Sequence, residues 1–165
     1  MAKKAASGGG DKPPGPRVSN RRARFDYQIV EKVECGLELT GTEVKSLRAG
    51  NASLDGAFGR IRGGEVYLCG ANIAVYPQAS GILQHDPLRD RKLLLHRRQI
   101  HKLQVHVAQK GHTLVPLALY FRRGWAKVKL AVARGKREFD KREDIKRREH
   151  QRQIDRELAR RQQRR

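Results

Sequence analysis

The sequence contains few aromatic residues, two cysteines and no long apolar run. Its longest apolar stretch, LVPLALYF, has the length of a strand and is far shorter than the roughly 18 to 20 residues of a membrane-spanning helix, so we expect no membrane partner. Cys35 and Cys69 lack the CxxC spacing of a zinc or redox site. We expect both to be small buried side chains in a reducing cytosol.

Signatures of metal binding and catalysis are also missing. His96, His101 and His106 are spaced by five residues, which scatters them around a helix. There is no HExxH, P-loop or GxSxG motif, and the acidic residues do not cluster as a two-metal nuclease requires. We therefore expect no catalytic residue, metal or cofactor. An RNA-processing enzyme remains the rival from another class, and incubation with structured RNA and magnesium would reveal its cleavage.

Positive charge is abundant: 37 basic residues stand against 17 acidic ones, for a net charge of +20. Such a surplus repels itself and is typical of proteins that bind a polyanion. The excess is +3 in residues 1–19, +10 in residues 20–133 and +7 in residues 134–165. Because the middle of the chain shares it, we expect a folded surface that binds nucleic acid, not merely a basic extension.

Composition divides the chain into three segments. Residues 1–19 are rich in glycine, proline, serine and lysine, which predicts a disordered basic arm. The start MAKKAASGGG lacks the apolar core of a secretory signal, and we expect a cytoplasmic protein. Residues 20–133 hold nearly all the apolar side chains and are predicted to fold. Residues 134–165 form a charged tail with almost nothing to bury.

The middle segment mainly shows the period-two pattern of strands. The pair Gly63-Gly64 and the RRG in LVPLALYFRRGWAKVKLAV each predict a hairpin. Beyond RRG, apolar residues alternate with Lys127 and Lys129, which predicts a curved antiparallel sheet with one apolar and one basic face. In YQIVEKVECGLEL we expect one buried face made of the odd-numbered apolar residues: Tyr27, Ile29, Val33, Cys35, Leu37 and Leu39.

Two helices are predicted between the strands. TGTEVKSLRAG has the capping box of Thr40 and Glu43, and Gly50 supplies a left-handed stop. HRRQIHKLQVHVAQKG places apolar residues on one face and ends at a glycine; these residues are Ile100, Leu103, Val107 and Gly111. Five or six short strands with two or three external helices predict a mainly β protein. Its expected architecture is a small antiparallel barrel of the oligonucleotide-binding (OB) type.

Basic clusters supply the candidate RNA contacts. NRRAR offers forked guanidinium donors for phosphates, although a solvated linker would look the same. RDRKLLLHRR surrounds three leucines with cations; the leucines are either core residues or include one exposed side chain that holds a splayed base. The candidate RNA-binding cations are Arg21, Arg22, Arg24, Lys45, Arg48, Arg91, Lys92, Lys127 and Lys129.

The tail has acid-before-base pairs four residues apart, each worth about 0.2–0.5 kcal/mol on a helix. Their sum falls short of the roughly 4 kcal/mol that helix nucleation costs. Ile154 and Leu158 share a helical face, but Ile145 points away from it. We therefore predict a tail that is mostly unfolded when free and helical when bound to a polyanion. A solvated helix without a partner is the alternative.

Several blocks, in order, resemble one known family: NRRARFDYQI, GTEVKSLRAG, HDPLRDRKLLLH, LVPLALYF and KVKLAVARGKREFDKRE. From Asn20 to its end the chain resembles small protein B, the bacterial SsrA-binding protein family. The resemblance implies an OB-like barrel without catalysis. It also implies binding to the tRNA-like domain of transfer-messenger RNA (tmRNA), which the family carries with elongation factor Tu into stalled ribosomes to begin trans-translation.

The resemblance also implies site residues. Family RNA contacts carry over to Asn20, Glu34 and Leu94. The tail would occupy the empty mRNA channel beside the decoding centre of the small subunit. One departure is Phe139, where relatives often have histidine or tyrosine. The ribosome-binding tail motif maps onto Gly135, Lys136, Arg137, Asp140, Lys141 and Arg142.

Two points stay open at the level of sequence. Glu34 either accepts hydrogen bonds from RNA or orients a neighbouring arginine. A general single-strand-binding or ribosomal protein with the same barrel is the alternative function. We expect a monomer.

Overall fold

The computed structural model describes residues 17–79, 84–137 and 149–156. Residues 149–156 are helical. The other elements, in chain order, are β1 (Val18–Ser19), α1 (Ala23–Asp26), β2 (Tyr27–Leu37), α2 (Gly41–Arg48), β3 (Ala52–Ser53), β4 (Phe58–Arg62), β5 (Glu65–Cys69), β6 (Asn72–Ile73), β7 (Arg91–Leu94), α3 (Arg97–Ala108), β8 (His112–Arg122) and β9 (Trp125–Gly135).

The main sheet closes on itself as an antiparallel barrel. Its strands follow the order β8-β4-β5-β7-β2-β9, and β9 pairs back with β8 to complete the ring. β1 pairs with β8, while β3 and β6 form a separate two-stranded sheet. A closed ring leaves fewer unpaired strand edges than an open sheet. The predicted mainly β barrel with external helices is confirmed.

The ring closes between β4 and β8 at a glycine. The two strands are in register at Gly59 and Leu114. A Cβ atom on Gly59 would lie 2.7 Å from the Leu114 Cβ, closer than real side chains approach. Glycine in a strand interior often marks such a close approach, and here it lets the barrel close.

The barrel interior holds the main apolar core. Val128, Leu130 and Val132 of β9 are fully buried in it, whereas Lys127 and Lys129 lie on the opposite side of the strand and are half-buried. The predicted apolar and basic faces are confirmed here. Other core residues are Cys35, Leu37, Leu47, Leu54, Val66, Leu68, Leu93, Leu103, Leu114, Leu119 and Phe121.

A second, smaller cluster lies outside the barrel, where α1 packs on the sheet. It consists of Ala23, Val115, Leu117, Ala131 and Ala133. Tyr27 and Ile29 pack on this cluster, whereas Val33 and Cys35 face the barrel interior. The register shifts between Ile29 and Glu31, and such an irregularity moves the following side chains to the other face. The expected single buried face of this strand is therefore wrong at its start.

Both predicted hairpins are confirmed. Gly63 and Gly64, with φ of 59° and 75°, join β4 to β5. Arg123 and Gly124, with φ of 50° and 81°, join β8 to β9. Two-residue turns with positive φ at both positions match the right-handed twist of the strands that they connect.

α2 forms as its sequence predicts. The Glu43 Oε2 accepts a hydrogen bond of 2.7 Å from the backbone N–H of Thr40, so that the carboxylate satisfies a free amide at the start of the helix. Beyond the last turn, Gly50 has a φ of 80°. This is the left-handed stop expected from the sequence.

α3 begins with a second capping box, in which the backbone N–H of His96 donates to the Gln99 Oε1 at 3.0 Å. It buries Leu103 and partly buries Ile100 in the main core. Val107, which the sequence placed on the same face, is 37 % exposed. α3 ends at Ala108, three residues before Gly111, where the sequence placed its end.

Backbone pairing extends the folded segment slightly beyond residues 20–133. Val18 and Ser19, which composition assigned to the arm, pair with β8. β9 continues to Gly135, and the N–H of Lys136 donates to the Asp26 carbonyl at 2.9 Å. These contacts are made by the backbone, with Val18 also packing on the main core, and composition does not reveal backbone pairing. Residues 1–16 of the predicted arm lie outside the described residues.

In the tail, residues 149–156 form a helix with every side chain exposed. Ile154 is 39 % exposed. Most of the remaining tail, including Asp140, Lys141 and Arg142, lies outside the described residues. Helix formation that depends on binding therefore stays a prediction.

Candidate nucleic-acid interface

One side of the barrel wall brings several candidate residues together. Glu34 on β2 is in register with Lys129 on β9, and Gly36 with both Lys127 and Leu94. Lys127 is in turn opposite Tyr120 on β8. Since alternate residues point to opposite sides of a strand, these side chains face away from the core. We call this surface the outer face; it consists of Leu94, Gly36, Glu34, Lys127, Lys129, Tyr120, Arg122 and Trp125.

Glu34 is at the centre of a hydrogen-bond network on the outer face. The Tyr120 hydroxyl donates to its Oε2, and the Arg122 Nη1 lies 3.2 Å from its Oε1. The bond from Tyr120 is the largest influence on the pKa of Glu34 and lowers it. Burial opposes this effect, and Arg122 and Lys127 add to it, so that the pKa is lowered overall. Burial and the Glu34 charge together raise the pKa of Tyr120 to about 12. At neutral pH the pair is therefore a carboxylate and a protonated phenol.

This network favours one of the two roles left open for Glu34. Both carboxylate oxygens already accept a hydrogen bond from the protein. The carboxylate thus holds Tyr120 and Arg122 in place, and the arginine is presented next to Lys127. Cations fixed in this way suit phosphate oxygens, which position a protein on RNA without reading its sequence.

Leu94 is the exposed leucine of RDRKLLLHRR. It is 52 % exposed, whereas Leu93 is buried in the barrel and Leu95 packs against the same core. Leu94 lies over Gly36, where an added Cβ would be 3.1 Å from the Leu94 Cβ. The absence of a side chain at Gly36 therefore leaves space for Leu94 on the outer face, beside Lys127.

Lys92 lies two residues before Leu94 on β7. Its Nζ donates to the Glu65 Oε1, and this bond raises the pKa of Lys92. The side chain is 38 % exposed. Lys92 is thus accessible, but Glu65 partly neutralises its charge.

Arg91 requires a correction, because the structure buries it completely. Its Nε donates to the Glu43 Oε1 at 2.8 Å, and its terminal nitrogens donate to carbonyls, including that of Pro87 at 2.9 Å. The expectation that Arg91 contacts RNA is therefore wrong. Arg91 lies two residues before the core residue Leu93 and therefore on the same face of β7, which was a signal that it points inward.

Glu43 binds Arg91 and, through Oε2, the Arg89 Nη2 at 2.6 Å. Burial alone would raise the pKa of Glu43, but hydrogen bonds from Arg89, the Thr40 amide and Arg91 lower it to about 2. Burial lowers the pKa of Arg91, although a guanidinium remains protonated at neutral pH. This buried charge cluster fixes the loop before β7 and hence the position of Leu94.

Asn20 is also mostly buried, with 9 % of its surface exposed. Its Oδ1 accepts a 2.9 Å bond from the Ala23 N–H, and its Nδ2 donates to the Leu54 carbonyl at 3.1 Å. The side chain thus joins the start of α1 to the segment between β3 and β4, which supports a positioning role. The neighbouring cations are all exposed: Arg21, Arg22 and Arg24.

Lys45 and Arg48 are exposed on α2. The Lys45 Nζ lies 5.2 Å from the centre of the Tyr76 ring, and the Arg48 guanidinium lies 5.5 Å from the Phe121 ring. The contact with Phe121 holds the Arg48 charge near the end of β8, and the contact with Tyr76 holds the Lys45 charge beside the segment after β6. They lie outside the outer face, and their contact with RNA stays a prediction.

The tail motif starts at the opposite end of β9 from Trp125. Gly135 ends the strand, and the Lys136 Nζ donates to the Arg24 carbonyl at 3.0 Å. Arg137 is exposed. The tail therefore leaves the barrel beside α1 and its arginines.

Sequence reasoning missed four members of the outer face: Gly36, Tyr120, Arg122 and Trp125. For Tyr120 and Arg122 the signal was alternation with the buried residues Leu119 and Phe121, but the apolar run LVPLALYF obscured it. For Trp125 the signal was its position two residues before Lys127 on β9. Among the described residues, no group of three or more histidine, cysteine or acidic side chains is arranged to hold a metal. No helix in the part of the chain that the structure describes is long and apolar enough to span a membrane.

A family model described as SmpB protein matches residues 17–160 of the chain. Curated relatives agree with this match. An SsrA-binding protein of Synechococcus sp. (strain JA-3-3Ab) is 56 % identical over 141 residues, covering 86 % of this chain and 92 % of the relative. Another, from Gloeobacter violaceus, is 54 % identical over 151 residues, covering 92 % and 99 %.

A solved structure is similar in fold as well as in sequence. It is described as "tmRNA-SmpB: a journey to the center of the bacterial ribosome". The matching chain is 50 % identical, with a TM-score of 0.64, and the match covers 79 % of this chain and 95 % of that one. The likeness therefore includes the barrel and nearly the whole of the other chain.

Proposed function

The chain belongs to the SmpB protein family, and on that premise we propose that it binds the tRNA-like domain of tmRNA and delivers it to stalled ribosomes in trans-translation. It acts in the cytoplasm as a non-enzymatic RNA-binding factor. The SsrA-binding relatives and the tmRNA–SmpB structure support this assignment.

The observation that carries the proposal is the composition of the outer face. Lys127, Lys129 and the oriented Arg122 supply cations, while Leu94 is an exposed apolar contact in the same wall. Such a surface binds RNA through its phosphates and shape, as structured RNA requires. A stacking platform for single strands would need more aromatic residues than this wall has.

The outer face and the tail have separate tasks in this proposal. β9 contains 11 residues, which span roughly 35 Å at a strand's rise per residue. Lys127 and Lys129 lie in the first half of β9, whereas the tail begins where β9 ends at Gly135. The outer face holds the RNA, and residues from Gly135 onward, including Lys136, Arg137, Asp140, Lys141 and Arg142, enter the mRNA channel that a broken message leaves empty.

Competition binding tests the RNA assignment. A labelled transcript of the tRNA-like domain is bound to the purified full chain and competed with unlabelled transcript or with unpaired homopolymer. We expect the transcript to compete far better. Equal competition by homopolymer would instead indicate a general single-strand-binding protein.

Paired variants test the outer face. The double variant Lys127→Gln, Lys129→Gln should weaken transcript binding. It should also reduce the slope of log Kd against the logarithm of salt concentration by up to about two. Lys110→Gln, an exposed cation beyond the end of α3, is the control and should change the affinity little. Equal losses in both variants would mean that charge alone, and not this surface, determines binding.

A chain shortened after Arg137 tests the tail. It should bind the transcript like the full chain and fail to support tagging of stalled peptides in a reconstituted translation reaction. If tagging continues undiminished, the assignment of the tail to the ribosome is wrong.

A further inference from the structure

The tip of the β8–β9 hairpin has an unusual backbone. Among the described residues, Arg123 is the only non-glycine residue with a positive φ, at 50°. Asparagine, aspartate and glycine are preferred at this position of a two-residue turn because they adopt the left-handed region at little cost. A long cationic side chain is therefore held at the tip against the local backbone preference.

The residue after the turn is also unusual. Trp125 is 72 % exposed, the largest exposed fraction among the large apolar side chains that the structure describes. It is in register with Arg122, and alternation places it on the same side of β9 as Lys127 and Lys129. The indole therefore extends the outer face at its end.

Two locally unfavourable choices thus coincide at one exposed tip. Departures from local sequence preference are expected where a residue serves function and not folding. The tip is cationic, since Arg122 and Arg123 directly precede Gly124; Arg122 is paired with Glu34, so Arg123 supplies the charge at the turn itself. This charge favours a nucleic acid over an apolar protein surface as the partner of the indole.

We propose that the tip is a base-stacking site. An unpaired base of the RNA that lies on the outer face stacks on the Trp125 indole, and the Arg123 guanidinium binds a phosphate beside that base. Aromatic side chains stack on any base, so this contact reads the presence of an unpaired nucleotide and not its identity. The inference rests on the proposed function, because RNA on the outer face brings the base to the tip.

The sequence provides its own probe, because Trp125 is its single tryptophan. We expect the tRNA-like transcript to quench Trp125 fluorescence and to shield the indole from acrylamide. Free tryptophan amide with the same transcript corrects for absorption by the RNA. Trp125→Phe should keep most of the affinity, whereas Trp125→Ala should lose about tenfold. Val105→Ala, which truncates an exposed side chain of α3, should lose nothing.

Arg123→Gly separates binding from folding. Glycine adopts a φ of 50° without strain, so the variant should unfold at the same or a higher urea concentration. Its affinity for the transcript should still fall, and its salt slope should fall by about one, because one phosphate contact is lost.

The outcomes distinguish this inference from the function on which it rests. Suppose that the transcript binds the wild-type chain tightly, does not quench Trp125 fluorescence and binds Trp125→Ala with the same affinity. The stacking site is then wrong and the proposed function stands. Quenching of Trp125 by small ribosomal subunits but not by the transcript would also overturn the stacking site. If the wild-type chain does not bind the transcript at all, the proposed function itself fails.

Discussion

The Arg91 guanidinium on β7 binds the Glu43 carboxylate on α2 across 48 residues of chain, with an Nε to Oε1 distance of 2.8 Å and both side chains 0 % exposed. This pair joins an external helix to the barrel wall. It also anchors the strand from which Leu94 reaches the outer face. The ion pair is thus the structural base of the proposed RNA-binding surface, although neither charge is accessible to RNA.

Glu43→Gln should be strongly destabilising. Removing one partner of a buried ion pair leaves the other charge uncompensated, which costs about 3–5 kcal/mol. Urea unfolding followed by circular dichroism measures this loss. Glu38→Gln, an exposed residue with the same change of charge, is the control and should change stability by less than about 0.5 kcal/mol. A loss below about 1 kcal/mol for Glu43→Gln would show that the pair contributes little to stability.

The same carboxylate predicts a loss of stability in acid. Folding lowers the pKa of Glu43 from its usual 4.5 to about 2. Its stabilising contribution is therefore complete above pH 4.5 and is lost as the pH falls towards 2. A shift of this size corresponds to roughly 3 kcal/mol. The difference in unfolding free energy between wild type and Glu43→Gln should shrink over this range; a difference that stays constant would contradict the assignment.

Local sequence patterns predicted the parts of the fold that depend on a few adjacent residues. Gly63-Gly64 predicted a turn because both positions need positive φ, and Thr40 with Glu43 predicted the start of α2. The alternation around Lys127 and Lys129 predicted which side of β9 faces outward. In each case the determining interaction lies within about one turn or one strand of the residue itself.

Patterns failed where a distant partner decides the outcome. The displacement of Tyr27 and Ile29 to the outside depends on a register shift against β9 and on α1, which covers them there. The burial of Arg91 depends on Glu43, far away in sequence. A charged side chain is normally predicted to be exposed, because its burial is tolerable only when an opposite charge and hydrogen bonds compensate for the lost water.

Glu34 and Tyr120 should act as one unit in RNA binding. If Glu34 orients its neighbours, Glu34→Gln and Tyr120→Phe should each weaken transcript binding by several-fold to about tenfold, and the double variant should lose little more than either single one. Dissociation constants of the four proteins in the double-mutant cycle measure this coupling. Glu38→Gln is again the control. Additive losses would indicate that Glu34 contacts the RNA independently of Tyr120.

Gly36→Ala should alter the outer face without unfolding the barrel. The new methyl group would lie 3.1 Å from the Leu94 Cβ, so Leu94 must shift by a few tenths of an ångström. Since Leu94 is 52 % exposed, it has room to move, and we expect a stability change below about 1 kcal/mol. Transcript affinity should nevertheless fall by a few-fold, and the Leu94 methyl resonances should shift. Gly41→Ala, where an added Cβ meets nothing within 4 Å, should leave the transcript affinity and the Leu94 resonances unchanged. If Gly36→Ala moves the Leu94 resonances while the affinity stays constant, the placement of Leu94 on Gly36 has no part in RNA binding.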